Sequence, residues 1–180
     1  MEAIKLKTYL EKFSILCLDF DGVLVDSVEL KGNCFAKLFN NCDKDGIQKK
    51  IFDHHKSFQG LSRYEKIKIY YSWVYNSLPS ASRQKELSNI FAELVIYELI
   101  KHKPSNFIKS LILQTHWDKK FIISRSNKDE IMKYLKTYEL AKFFNNIYDS
   151  QSTKEESINK IKEKNPDEKK ILFIGDSNDD

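Results

Sequence analysis

The sequence predicts an α/β fold, in which helices cover a parallel β-sheet and a separate group of helices is inserted into the chain. Apolar runs at 15–18, 120–124 and 170–176 predict short buried strands, and each leads into a polar or acidic residue. After residue 104 these runs alternate with helical patterns, which implies parallel strands joined by right-handed crossovers. Residues 28–103 contain only helical patterns and are predicted to form the insertion.

Apolar residues at helical spacing predict the helices of the insertion, and Pro79 and Pro104 mark breaks in the pattern. The three sets are Val28, Phe35, Leu38 and Phe39; Ile67, Tyr70, Tyr71, Val74 and Leu78; and Leu87, Ile90, Phe91, Leu94, Val95 and Leu99. Helix and strand then alternate at 107–113, 120–124, 129–140, 146–149, 154–164 and 170–176. In such sheets the functional loops gather at the carboxyl ends of the strands.

The composition is that of a globular protein, with no sign of a nucleic-acid or membrane partner. The net charge of +4 is small beside 30 basic and 26 acidic residues, and the lysines are spread along the chain. The three cysteines lack CxxC spacing, and Cys17 is expected to act as a small core side chain. No apolar segment has the length of a signal peptide or a membrane span, so we expect a cytoplasmic protein.

Two carboxylates follow the first predicted strand, and they are the strongest indication of chemistry in the sequence. Because strand side chains alternate with period two, Asp19 and Asp21 leave the sheet edge on roughly the same side, and Gly22 permits a tight turn beside them. Two like charges this close repel each other unless a cation lies between them or one carboxylate is protonated. The pair therefore suggests a metal-assisted reaction with one nucleophilic and one acid/base carboxylate.

The segment DFDGVLVDS at residues 19–27 resembles the first motif, DxDGxxxDS, of the haloacid dehalogenase (HAD) superfamily of phosphatases. The resemblance implies a HAD-like Rossmannoid sheet with an inserted α-helical cap. It also implies that Asp19 is the nucleophile that attacks phosphorus. Asp21 would then protonate the leaving oxygen and later activate water.

Three further segments are similar to the later motifs of this family and occur in the same order. Ser124, at the end of a predicted strand, matches the second motif, whose hydroxyl binds a phosphoryl oxygen. Lys154 matches the third motif, a lysine that neutralises both the nucleophile and the phosphoryl group. The segment GDSNDD at 175–180 is similar to GDxxxD, which implies Asp176 as a metal ligand and Asp180 as the second acid, with Asp179 as the alternative.

The resemblance implies a magnesium-dependent phosphatase that acts on a small phosphorylated metabolite, of the phosphoglycolate or sugar-phosphate class. The Mg²⁺ would be held by the Asp19 side chain, the Asp21 backbone carbonyl and the Asp176 side chain. Two alternatives stay open. One is a phosphomutase of the same branch, and the other is a weakly active or inactive protein that binds a phosphorylated ligand.

The predicted division is a catalytic core at 1–27 and 104–180 and a helical cap at 28–103. The cap resembles that of the phosphoglycolate phosphatase-like branch, where it closes over small substrates. Within it, Arg63 and Lys66 lie one helical turn apart and could meet an anionic substrate.

The last residue, Asp180, falls directly on the fourth motif. Members of the family usually continue through a helix and a further edge strand. We therefore expect the sequence to be a truncated gene product or a fragment.

Overall fold

The chain divides into two units in the computed structural model, which describes residues 6, 8–40, 46–166 and 170–176. The first unit combines Met1–Val25 with Lys103–Asp180, and the second comprises Asp26–His102. The sheet belongs to the first unit, whereas the described elements of the second unit are helices. That the second unit acts as a cap stays a prediction.

The sheet is parallel throughout the described part of the chain and lies in the order β3-β2-β1-β4. Its four described strands are β1 (Ile15–Leu18), β2 (Lys119–Ile123), β3 (Asn146–Tyr148) and β4 (Ile171–Ile174). Leu18 in β1 lies beside Ile122 in β2 and Ile174 in β4, so these three strands end nearly level with one another. The predicted α/β class with a parallel sheet and a helical insertion is confirmed.

Seven α-helices lie entirely within the described ranges: α1 (Val28–Leu38), α2 (Ile47–Ser57), α3 (Arg63–Tyr75), α4 (Ala81–Leu99), α5 (Asn106–Leu113), α6 (Lys128–Thr137) and α7 (Lys154–Lys164). A short 3₁₀-helix spans Ala141–Phe143. Side chains of Ser, Thr or Asn cap the amino ends of α3 to α7 by accepting a hydrogen bond from the first turn. None of these helices is long and apolar enough to cross a membrane.

Two helices end earlier than the apolar pattern predicts. The pattern extends α3 to Leu78, but the helix ends at Tyr75 because Asn76 adopts a left-handed conformation with φ of 53°, and Leu78 is 73% exposed. The predicted helix 129–140 likewise ends at Thr137, and Glu139 has φ of 56°. In both cases a residue with positive φ follows the helix and ends it, although apolar residues continue at helical spacing beyond that point.

Both faces of the central strand β1 are buried, as expected for parallel strands covered by helices. On one face Ile15 and Cys17 of β1 and Phe121 and Ile123 of β2 form a cluster with Ile161 of α7. The alternate residues Leu16, Leu18 and Ile122 are also fully buried. Burial raises the pKa of Cys17 to about 12, so its thiol acts as a small apolar side chain, as predicted.

The second unit is held together by aromatic packing between its helices. α1 packs against α2 and α4, and α3 packs against α4. The Phe35 ring stacks on Phe91 with centroids 3.9 Å apart, and the fully buried Tyr70 meets Phe35 edge-on at 5.3 Å. Gly32 permits the close approach of α1 and α2, because a Cβ there would lie 2.9 Å from the Phe52 ring.

Removing the buried side chain of Ile161 is expected to destabilise the first unit. The residue is fully buried against β1 and β2, so Ile161→Ala should leave a cavity and lower the free energy of unfolding by about 2–5 kcal/mol. Leu113→Ala in the same unit is the control, because Leu113 is 47% exposed. Urea denaturation of both variants checks this prediction. Equal losses in the free energy of unfolding would contradict the packing of Ile161 against β1 and β2.

Protonation of His54 is expected to destabilise the second unit. The pKa of His54 is lowered from 6.5 because burial disfavours the charged ring and because Lys66 and Lys50 repel it. The folded state therefore binds this proton less tightly than the unfolded chain, and stability is lost as the pH falls below about 6.5. Urea denaturation between about pH 8 and about pH 5 should show His54→Gln gaining stability relative to the parent protein towards acid pH. If the free energies of unfolding of His54→Gln and the parent protein differ by the same amount at every pH, the lowered pKa of His54 is refuted.

Candidate active site

The predicted chemistry-bearing residues of the first unit follow three neighbouring strands at one edge of the sheet. Asp19 follows β1, Ser124 follows β2, and Asp176 comes two residues after β4. Because the strands are parallel and end nearly level, the sheet brings these three positions to a common edge. Lys154 reaches the same edge from the amino end of α7.

Backbone hydrogen bonds fix the turn that carries the two aspartates. The Asp19 N–H donates to the carbonyl of Ile174 at 2.9 Å, which ties the turn to β4. The Phe20 N–H donates to Asp19 Oδ1 at 2.5 Å and orients that carboxylate. Gly22 has φ of 75° and its N–H donates to the Val25 carbonyl at 2.9 Å, so the chain reverses directly after Asp21.

Asp19 and Lys154 form a buried ion pair at the centre of this edge. Lys154 Nζ donates to Asp19 Oδ2 at 2.6 Å, and the two side chains are only 12% and 7% exposed. Lys154 is the first residue of α7, where the helix dipole disfavours a cation. A capping box between Thr153 and Glu156 fixes the start of the helix, so the ammonium group is held on the aspartate despite that cost.

The environment of Asp19 opposes its charged form on balance. Burial raises the pKa of Asp19 above its ordinary value, and the nearby charge of Asp21 raises it further. The hydrogen bond and the positive charge of Lys154 act in the opposite direction, as does the Phe20 N–H. A further cation at this edge would therefore favour the carboxylate form, in which Asp19 can act as a nucleophile.

Two serines connect the loop after β2 to Asp21. The Ser126 hydroxyl donates to Asp21 Oδ2 at 2.5 Å, and the Ser126 N–H donates to Ser124 Oγ at 3.2 Å. Ser124 and Ser126 are only 3% and 6% exposed. Sequence reasoning selected Ser124 but missed Ser126. The available signal was a second serine two residues later, in the same loop after β2.

Asp176 lies against the turn that follows β1, and only a glycine leaves room for it. A Cβ at Gly22 would stand 1.8 Å from Asp176 Oδ2. The Asp19 carboxylate, the Asp21 backbone carbonyl and the Asp176 carboxylate thus offer oxygen ligands, which is the donor chemistry that magnesium requires. Only two of these three ligands, Asp19 and Asp176, are side chains. Among the described residues, no group of three or more His, Cys, Asp or Glu side chains could hold a metal ion.

The remaining predicted site residues either fall outside the described residues or belong to the second unit. Asp179 and Asp180 fall outside the described residues. Arg63 and Lys66 belong to α3 of the second unit, and their surroundings differ. The Arg63 guanidinium lies over the Phe91 ring at 4.9 Å, whereas Lys66 is 3% exposed with its Nζ 3.1 Å from Nδ1 of a histidine, His55. Whether either contacts a substrate stays a prediction.

Comparisons with solved structures support the fold described above. The HAD hydrolase candidate YfnB from Bacillus subtilis, bound to magnesium, is 18% identical with a TM-score of 0.68, and the match covers 92% of this chain and 81% of that one. CbbY from Rhodobacter sphaeroides in complex with phosphate is 12% identical with a TM-score of 0.68, and the match covers 93% of this chain and 79% of that one. A candidate phosphoglycolate phosphatase from Lactobacillus plantarum is 14% identical with a TM-score of 0.62, and the match covers 93% of this chain and 79% of that one. At these identities the likeness shows the fold alone.

The sequence comparison identifies the family. None of the curated proteins matches the chain. The family model of haloacid dehalogenase-like hydrolases, however, matches residues 16–180, which include every motif discussed above. This match agrees with the resemblance of the motifs and with the parallel sheet and its helical insertion, since all three indicate the same family. The chain belongs to the haloacid dehalogenase-like hydrolase family.

Proposed function

We propose that the chain is a magnesium-dependent phosphatase that hydrolyses a small phosphorylated metabolite, of the phosphoglycolate or sugar-phosphate class. The proposal is carried by the buried contact between Lys154 Nζ and Asp19 Oδ2, 2.6 Å long, at the edge that also holds Asp21 and Ser124. A nucleophile, a cation, an acid/base carboxylate and a hydroxyl are the groups that phosphoryl transfer through an aspartyl-phosphate needs. Membership of a hydrolase family supports the same reaction class.

In the first half of the reaction, a carboxylate oxygen of Asp19 attacks phosphorus and forms an acyl phosphate. The bond between phosphorus and the leaving oxygen breaks, and Asp21 gives that oxygen its proton and becomes a carboxylate. The Lys154 ammonium offsets negative charge on Asp19 and on the transferring group. The Ser124 hydroxyl donates a hydrogen bond to a phosphoryl oxygen.

In the second half, water cleaves the acyl phosphate. Asp21, now a carboxylate, takes a proton from the attacking water while the oxygen of that water bonds to phosphorus. The bond between phosphorus and the Asp19 oxygen breaks, which restores the Asp19 carboxylate and releases phosphate. Asp21 returns to its protonated form, so one residue serves both steps with no net proton change at the site.

The Asp19 carboxylate, the Asp21 backbone carbonyl and the Asp176 carboxylate would hold the magnesium ion. When bound, magnesium supplies positive charge beside the phosphoryl oxygens. The close approach of Asp176 to Gly22 supports this set, because it keeps a carboxylate against the turn that bears Asp19 and Asp21. YfnB, which shares this fold, is bound to magnesium.

Phosphate release is the first expected outcome. The parent protein should release phosphate from phosphoglycolate or a sugar phosphate in the presence of magnesium, and Asp19→Asn should reduce kcat by at least about 10³-fold, because the nucleophile is lost. Lys154→Met should also lower kcat, by about 10²–10³-fold, the typical effect of losing one charge-stabilising group.

The matched control for the lysine is Lys162→Met, an exposed residue of the same helix, which should retain the parent rate. A screen of sugar phosphates, phosphoglycolate and nucleotides that yields no turnover would refute the phosphatase proposal. So would an Asp19→Asn variant as active as the parent. Recovery of an isomeric sugar phosphate in place of free phosphate would instead indicate a mutase.

Magnesium alone is expected to stabilise the folded chain. At about 100 times its Kd, a ligand that binds only the native state raises the free energy of unfolding by about 2.7 kcal/mol, and chelation should reverse this gain. Asp176→Asn should abolish most of the shift in Tm. Asp118→Asn, an exposed residue just before β2 at the opposite edge, should not. An equal magnesium-dependent shift in both variants would contradict the proposed ligand set.

A further inference from the structure

We propose that Ser126 is a positioning residue, which holds the carboxyl group of Asp21 in the orientation needed for proton transfer. The inference rests on the function proposed above and assigns a role to a residue outside the four motifs. Ser126 is inferred to act through Asp21 and to leave the substrate untouched. Its removal should therefore affect only the steps in which Asp21 gives or takes a proton.

The contact between the two side chains is short and partly buried. Ser126 Oγ lies 2.5 Å from Asp21 Oδ2, at the short end of the range for a hydroxyl that donates to a carboxylate. Ser126 is only 6% exposed, so water competes poorly for its hydroxyl. The two residues are 105 positions apart in sequence. Their contact therefore depends on the pairing of β1 with β2 in the sheet.

Ser126 is itself held firmly by its neighbours. Its N–H donates to Ser124 Oγ at 3.2 Å, and the Ser124 N–H donates to the carbonyl of Tyr148 in β3 at 2.9 Å. The next residue, Asn127, caps α6 by accepting from the Asp129 N–H at 2.8 Å. A hydroxyl fixed on both sides in this way can define the orientation of a partner that extends from a turn.

The hydrogen bond also determines which oxygen of Asp21 carries the proton. Oδ2 accepts from Ser126, so in the protonated state the acidic hydrogen resides on Oδ1. In the first half-reaction that hydrogen moves from Oδ1 to the leaving oxygen as the phosphorus–oxygen bond breaks. In the second half-reaction Oδ1 receives a proton from water. Ser126 keeps its own proton throughout, so no further acid or base is needed.

This role predicts a dependence on the leaving group. An alkoxide needs protonation as it leaves, whereas p-nitrophenolate is stable without it. Ser126→Ala should lower kcat/KM about 10- to 100-fold for phosphoglycolate or the best alkyl phosphate of the screen, because a misplaced catalytic group costs up to about 10²-fold. For p-nitrophenyl phosphate kcat/KM should fall less than about threefold, because kcat/KM reports the steps up to departure of the leaving group and excludes the later hydrolysis of the acyl phosphate, which is common to both substrates. Ser126→Thr keeps the hydroxyl and should restore the alkyl phosphate rate.

A double-mutant cycle separates positioning from a general structural role. In the Asp21→Asn background, adding Ser126→Ala should change the alkyl phosphate rate less than about twofold, since the group it orients is already absent. Ser110→Ala is the matched control, because Ser110 is exposed on α5 and donates to the Phe107 carbonyl of its own helix at 2.7 Å. It should leave both rates unchanged. Circular dichroism and thermal unfolding should show that each variant folds.

Two results would overturn the inference while leaving the phosphatase proposal intact. One is an equal loss of kcat/KM on alkyl and aryl phosphates in a folded Ser126→Ala. The other is a full further loss in the Asp21→Asn background. If Ser126→Ala does not fold, Ser126→Cys provides the same comparison, because a thiol of similar size is a weak donor. A parent protein that is inactive on every phosphate ester would refute the proposed function, and the role of Ser126 with it.

Discussion

The candidate site depends on the burial of one carboxylate. Asp19 is 5% exposed, and removing its charge from water is unfavourable unless compensating groups lie close by. Lys154 and the Phe20 N–H supply part of that compensation. The same burial strengthens the ion pair between Asp19 and Lys154, because little water is present to screen it. A charged carboxylate at this position thus comes at the expense of local stability, and a bound cation would offset the remaining cost.

Sequence reasoning recovered the strands, most helix positions and the residues at the strand ends, because apolar runs and acidic turns are local signals. It could not specify the helix ends at Asn76 and Glu139, where positive φ values interrupt a continuing apolar pattern. It also missed Ser126, since a serine after a strand is more often a helix cap and its contact with Asp21 spans two strands. Lys66 illustrates the same limit, because its burial beside His55 depends on how α2 and α3 pack together, which apolar spacing along one helix does not specify.

The second unit differs from the first in how its polar groups are accommodated. Its core combines stacked aromatic rings with a histidine and a lysine, Lys66, whose hydrophobic stem and charged end both lie inside the unit. Burial of an ammonium group is tolerated only where nearby groups interact favourably with it. The short distance to His55 Nδ1 is such an interaction when that ring nitrogen accepts a hydrogen bond from the ammonium group, so the packing of this unit includes a polar contact between two buried side chains.

The strand order has a consequence for the assembly of the protein during synthesis. β1 lies between β2 and β4, and its last partner begins only at Ile171. Until that strand is made, one hydrogen-bonding edge of β1 is open, and the Asp19 N–H lacks the Ile174 carbonyl that ties the turn to β4. The site therefore forms late, after a loop closure that spans most of the sequence, and the nascent chain carries an apolar strand edge open to intermolecular pairing.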